Sequence, residues 1–286
     1  MIERRTFRAM GTEMELLVDA DGAAEALDSA FDGAEAEFHR LEALLSRFRE
    51  DSELSRLNRD GAIDAGPDLL RVVALALDAR ERTRGRFDPT VHDALVAAGY
   101  DRSFEDIAPE SHVRCQAPDV SAGGVSIEGT RIVLEPGVRL DLGGIGKGYA
   151  AERAAELLAL AGPCLVNAGG DVATRGGAWP VGVETTGDPL TLELRGAALA
   201  TSGRDRRRWR RGGRELHHLI DPRTGAPAET DLLRVTVVAP DAVEAEVAAK
   251  ALFLAGAGAA RAEADEAGIP AVLVTERETA LAGGLA

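Results

Sequence analysis

Residues Arg139–Leu160 read RLDLGGIGKGYAAERAAELLAL. A short apolar run around Leu140 and Leu142 leads into four glycines, Gly143, Gly144, Gly146 and Gly148, with Lys147 among them. An Ala/Leu-rich helical pattern follows, with Glu152 and Arg153 on its polar face. The order predicts strand, glycine turn, helix. Glycines let a backbone approach a ligand and aim consecutive N–H groups at it, and a helix start adds partial positive charge, so the stretch can cradle a phosphate. It reads equally as a tight strand-to-helix turn with a surface lysine. It is neither of the standard nucleotide loops. A Walker A loop needs glycine at Asp141 and Ser or Thr at Gly148, and the Rossmann spacing puts its last glycine at Tyr149.

The surrounding composition narrows the classes. The chain has 286 residues, 45% of them hydrophobic, enough to fill a substantial core. Its formal charge is 33 − 48 = −15, and its basic residues are scattered except at Arg204–Arg214, which argues against a general nucleic-acid surface. Cys115 and Cys164 lie far apart with no paired Cys or His spacing, against both a thiolate metal site and a disulfide framework. The N-terminal MIERRTFRAMGTEMELLV lacks the apolar core of a signal peptide or lipoprotein leader. No run of about 18 apolar residues occurs, so no membrane insertion is expected and the predicted location is the cytoplasm.

Upstream of the glycine stretch, residues 4–19 alternate as a strand interrupted at Gly11, and Gly22–Phe48 carries apolar residues at helical spacing. Ser52 is a predicted N-cap, a helix is predicted over Pro67–Arg84, and Asp88-Pro89 breaks the pattern so that Thr90 can cap a short helix. Asp101–Gly123 reads as a loop or small insertion. Val125–Ile127 and Arg131–Leu134 flank a hairpin turn, and their continuation is the expected strand into the glycines. Downstream, strands are predicted at Cys164–Val166, Pro180–Thr185, Leu190–Leu194, Ala198–Thr201 and Leu233–Val238. An arginine-dense loop is expected at Arg204–Arg214, helices at Ala242–Ala255 and Ala259–Ala267, and a closing strand at Ala271–Thr275. The mixture predicts an α+β protein with mixed or antiparallel sheets and packed helices, in one domain over residues 1–286.

Seven segments carry a family resemblance: MGT (Met10–Thr12), SRFREDSELSRLN (Ser46–Asn58), GRFDPTV (Gly85–Val91), DLGGIGKGYA (Asp141–Ala150), NAGGD (Asn167–Asp171), ATSGRDRR (Ala200–Arg207) and HHLIDPRTG (His217–Gly225). In order and spacing, from about Met10 to Gly256, the chain resembles the ApbE family of FAD:protein FMN transferases. The resemblance implies a T-fold-like α+β architecture. It also implies FAD as donor substrate, transfer of FMN to a Thr or Ser hydroxyl of a target flavoprotein, and release of AMP. Hydrolysis of FAD to FMN and AMP, or FAD binding without turnover, are the alternatives. By the same resemblance Lys147 with Gly143, Gly144 and Gly146 would face the diphosphate, and His218 would be the general base. Met10, Thr12, Asp88, Thr90, Asp141, Asn167, Gly169, Gly170, Asp171, Thr201, Ser202, His218 and Asp221 would line the nucleotide. Turn and cap chemistry alone can also place Asp, Thr, Asn and Gly at such positions. His217 is expected to be structural or exposed.

The chain departs from the family where the metal belongs. The usual Mg²⁺ ligands are an Asp and a Thr four residues apart on one helix face, with a backbone carbonyl from the glycine loop. The matching positions here are Glu246 and Lys250, with Gly146 for the carbonyl. The resemblance makes Mg²⁺ an expected cofactor, and three readings stand: Lys250 supplies the charge in place of Mg²⁺; a cation binds through Glu246, Asp171, the Gly146 carbonyl, water and phosphate oxygens; or FAD binds without reaction. A simple i, i+4 pairing of Glu246 with Lys250 is a fourth.

Overall fold

A computed structural model describes residues 1–20, 24–108, 110–111 and 124–285. Cys115, the expected helix start at Gly22, and residues 109 and 112–123 of the expected insertion lie outside the described residues. The chain divides into two compact units. One comprises Met1–Glu42, Ile145–Ser202 and Asp231–Ala286, and the other Ala43–Gly144 and Gly203–Thr230.

The first unit is built on a sheet that, among the described residues, has eight strands. Its order is Ile2–Ala9, Thr12–Asp19, Cys164–Ala168, Asp171–Arg175, Ala198–Gly203, Leu232–Ala239, Ala271–Thr275 and Thr279–Ala282. Alternation in Thr12–Asp19 buries Met14, Leu16 and Val18, which fixes the register Met14↔Ala168 and Val18↔Cys164. The predicted break at Gly11 is a hairpin turn: Met10 (φ 49°) and Gly11 (φ 70°) are both left-handed, as a two-residue type I′ connection requires. Gly169 (φ 67°) and Gly170 (φ 107°) make the same kind of turn between Ala168 and Asp171. On one face of the sheet Leu165, Val172, Leu199, Val272 and Val274 pack with Trp179, Val183 and Leu194 of the hairpin Trp179–Val183/Leu190–Leu194. Each such aliphatic or aromatic burial contributes about 1.5–3 kcal/mol. The helices Gly146–Leu158 and Ala242–Ala255 pack against the sheet and each other. Cys164 lies between strand and helix, its thiol donating to the Ala155 carbonyl at 3.4 Å, and burial pushes its pKa up to about 11.

The two helices meet at Gly148. A β-carbon there would sit 2.6 Å from the Ala242 carbonyl oxygen and 2.9 Å from its carbon, both backbone atoms. Gly148→Ala is therefore expected to cost about 1–3 kcal/mol. Gly146→Ala, with nothing within 4 Å of the new carbon, should leave stability near that of the parent protein. Urea denaturation of the two variants checks this, and equal midpoints would refute it. A second tie is made by Glu152, which the sequence places on the polar face of its helix. It is 9% exposed; Oε1 accepts from the Ala242 N–H at 2.7 Å, and Oε2 pairs with Arg175. Its polarity reads as surface in a helical pattern, but it serves an orphan N–H at a neighbouring helix start.

In the second unit, Ser52 caps Glu53–Asp60 by accepting from Ser55 N–H at 2.9 Å, and Pro67 opens the helix Pro67–Arg82. Ala62–Asp64, Arg131–Leu134 and Val125–Glu128 form a three-stranded sheet. The expected loop at Arg204–Arg214 is largely a hairpin, Arg208–Arg211 with Arg214–His217. Its alternation is masked by arginine: Trp209 and Leu216 point inward and join Leu95, Ala98 and Tyr100 in a core cluster. Residues 135–144 are not the expected feeding strand. Their backbone groups are taken instead by Asn58, which donates to the Leu140 carbonyl at 2.8 Å and accepts from the Leu140 N–H at 2.7 Å, and by the Pro89 carbonyl, which accepts from Asp141 N–H at 2.8 Å.

Candidate functional site

In the first unit three distant residues of the resemblance converge. Lys147 stands in the first turn of Gly146–Leu158, Asp171 follows the Gly169-Gly170 turn, and Glu246 lies in the second turn of Ala242–Ala255. The Lys147 ammonium pairs with Asp171 Oδ2 and donates to Glu246 Oε1 at 2.6 Å, while Glu246 Oε2 accepts from the Gly148 N–H at 3.0 Å. The three side chains are 16%, 4% and 5% exposed in that order. An ammonium donates up to three hydrogen bonds and accepts none, so both carboxylates face it as acceptors. Asn167 turns its Oδ1 to the Gly170 N–H at 2.9 Å, and the Thr201 hydroxyl meets that of Thr236 at 2.8 Å. Ser202 is buried, and Thr12 lies close against Gly169.

Among the described residues no group of three or more His, Cys, Asp or Glu is placed to hold a metal ion. The carboxylates expected to reach Mg²⁺ direct their oxygens at Lys147 and the Gly148 N–H, and Lys250 stands one turn from Glu246 on the same helix. The oxygens a hard cation would take are thus bonded to an ammonium and an amide N–H, an arrangement that does not fit such a cation as it stands.

In the second unit Asp141 opens the glycine stretch and is aimed by a residue to which motif spacing assigns no role. Arg47 pairs with it at 2.5 Å, donates to the Tyr100 carbonyl at 2.6 Å, and lies 4.2 Å and 4.8 Å from the ring centroids of Phe48 and Tyr100. The other Asp141 oxygen accepts from the Gly143 N–H at 2.9 Å. With Gly148 turned to Glu246, two N–H groups of the expected cradle are thus already bonded within the protein. Asp88 accepts from both Thr90 N–H, at 2.8 Å, and Thr90 hydroxyl, at 2.7 Å, and pairs with Arg80 at 3.0 Å. Thr90 is therefore not the expected helix cap; Val91 holds that position before His92–Ala98. Asp221 is held below the usual carboxylate range: burial works upward, but the hydrogen bonds and charge of Arg223 outweigh it.

The adjacent histidines differ. His217 is buried; Nε2 donates to the Ala228 carbonyl at 3.0 Å and Nδ1 accepts from Leu219 N–H at 3.2 Å, the pattern of a neutral structural imidazole. His218 is half-buried, with Nδ1 turned inside. Burial lowers the pKa of His217, and also that of His92, where it outweighs a 2.8 Å contact with Asp93. Both bases are thus harder to protonate folded than unfolded. Their contribution to stability is complete above the unfolded value of about 6.5 and is lost as pH falls below it. Melting temperature should drop between about pH 7.5 and pH 5.5, and less steeply in a His217→Asn variant. An identical slope in the two proteins would refute the assignment.

The sequence matches a family model described as the ApbE family over residues 10–273. It is 31% identical over 246 residues to an FAD:protein FMN transferase of Treponema pallidum, covering 75% of this chain and 68% of that protein. Identity to the protein of that description in Escherichia coli K12 is 28% over 255 residues, covering 82% and 73%. The fold is similar to the crystal structure of the ApbE protein from Thermotoga maritima, with TM-score 0.87 and 25% identity over 99% of this chain and 97% of that one. It is also similar to the Pseudomonas stutzeri flavinyl transferase ApbE in its apo form, with TM-score 0.85, 26% identity and 99% and 95% coverage.

Proposed function

This chain belongs to the ApbE family, and from that premise we propose that it is an FAD:protein FMN transferase acting on a Thr or Ser of an acceptor flavoprotein. The hydroxyl oxygen of the acceptor attacks the flavin-side phosphorus of FAD. The bond from that phosphorus to the bridging oxygen breaks, AMP leaves with that oxygen, and the hydroxyl proton passes to a base. Such a reaction asks a protein for positioning, neutralisation of diphosphate charge and a proton acceptor.

The observation that carries this reading is the half-buried Lys147 ammonium, fixed at a glycine-rich helix start by Asp171 and Glu246. It sits where a fixed charge and the remaining loop N–H groups can meet an anion. His218 is assigned the base, because an imidazole accepts a proton near neutral pH. Arg47, through Asp141, is assigned the positioning of the first half of the loop. The family match runs through both units, which supports reading them as parts of one flavin transferase domain.

The test is incubation of the purified full chain with FAD and an acceptor domain, followed by in-gel flavin fluorescence and chromatography for AMP. Covalent flavin on the acceptor is expected. An unlabelled acceptor with intact FAD binding would sink the reading, and AMP formed equally without acceptor would replace transfer by hydrolysis.

A further inference from the structure

We infer that this chain performs the proposed diphosphate cleavage without a divalent metal ion, its charge being supplied by Lys147 and Lys250. The inference rests on the transferase reading for its chemistry and on three observations for its content. First, Asp171 and Glu246 share one ammonium, and the second Glu246 oxygen is occupied by the Gly148 N–H. A cation entering there would displace bonds that fix the glycine helix start. Second, position 250 carries an ammonium where the family pattern has a hydroxyl. Four residues after Glu246 on one helix, it stands on the same face and cannot coordinate a cation while protonated.

The third observation is the local charge. Lys147 and Lys250 against Asp171 and Glu246 sum to zero. With threonine at 250 the same set would carry −1, a net charge that favours a cation. With lysine there, a divalent ion would make the set +2 and would face an ammonium at close range, where like charges repel strongly. The second lysine thus offsets the second carboxylate, so the Lys147 ammonium at the loop needs no metal to balance the pair around it.

The test uses the full chain and has two independent readouts. Binding of Mn²⁺ alone is followed by electron paramagnetic resonance, and AMP release from FAD with acceptor is compared in EDTA and in excess Mg²⁺. The expected result is no saturable Mn²⁺ binding and rates that agree within about twofold in the two buffers, since the charge is built in. Glu246→Asp/Lys250→Thr should gain one Mn²⁺ site and become EDTA-sensitive by about tenfold or more. Lys250→Met should lose about tenfold or more in rate at saturating Mg²⁺.

One saturable Mn²⁺ site on the parent protein, or abolition of its activity by EDTA, would overturn the inference. So would an unchanged rate in Lys250→Met. If the parent protein neither labels an acceptor nor releases AMP, the transferase reading fails by itself, and Mn²⁺ binding still decides the metal question. That arm needs only the parent protein, so it decides the question even where a variant does not fold.

Discussion

Lys147→Met is expected to lower AMP release from FAD by about a hundred- to a thousandfold, the cost of removing one preorganised charge from a developing anion. It should also destabilise the protein by about 3–5 kcal/mol, because it strands two carboxylates that are 4% and 5% exposed. The two effects separate by compensation. Asp171→Asn/Glu246→Gln in the Lys147→Met background removes the stranded charges and should return most of the stability while the rate stays low. Urea denaturation reads the first quantity and chromatography of AMP the second. A normal rate in Lys147→Met would end the role given to this residue. Restoration of the rate together with stability would make it a purely structural lysine.

The second large effect is expected at His218. His218→Asn should lower kcat by about a hundred- to ten-thousandfold if the imidazole takes the hydroxyl proton. The acidic limb of the kcat/KM profile should vanish with it. His217→Asn is the control one residue away. That imidazole already spends both nitrogens on Ala228 and Leu219, so its loss should weaken the fold and leave the profile in place. Equal loss of activity in the two variants, or a surviving acidic limb in His218→Asn, would assign His218 to turn geometry.

What the sequence disclosed followed from whether the deciding interaction was local. The helix Ala242–Ala255 has the predicted bounds because its cap, Asp241, and its terminating Gly256 adjoin it. The strand Leu190–Leu194 likewise needed only its own alternation. The strand expected before the glycines failed because its backbone partner is an amide side chain 82 residues away, Asn58. The arginine-rich loop failed for a related reason. Only Trp209 and Leu216 carry the apolar signal of that hairpin, and charged neighbours dilute it. Glu152 read only as part of a polar face, because its helical position says nothing of a second helix start beside it. At the candidate site the motifs named Lys147 and Asp171 and the family's metal position named Glu246, but the lysine and its carboxylates are 24 and 99 positions apart, so their pairing could not be derived from spacing. Arg47 lies within one of those motifs, yet spacing gives it no role, since its target, Asp141, is equally remote.

The register that joins Thr12–Asp19 to Cys164–Ala168 has a kinetic meaning. These neighbours are separated by residues 20–163, so the central sheet cannot zip from local turns alone. It must close a loop that holds the whole Ala43–Gly144 stretch of the other unit. The entropy of that closure grows only slowly with length, about 0.6 kcal/mol per doubling, but it must be met before any strand contact rewards it. Early collapse therefore belongs to the hairpins Ile2–Ala9/Thr12–Asp19 and Cys164–Ala168/Asp171–Arg175, each turned by two left-handed residues. Docking of these ribbons along the Met14–Val18 edge is the expected slow step of assembly. It is also the step that brings Asp171 to its final place in the sheet.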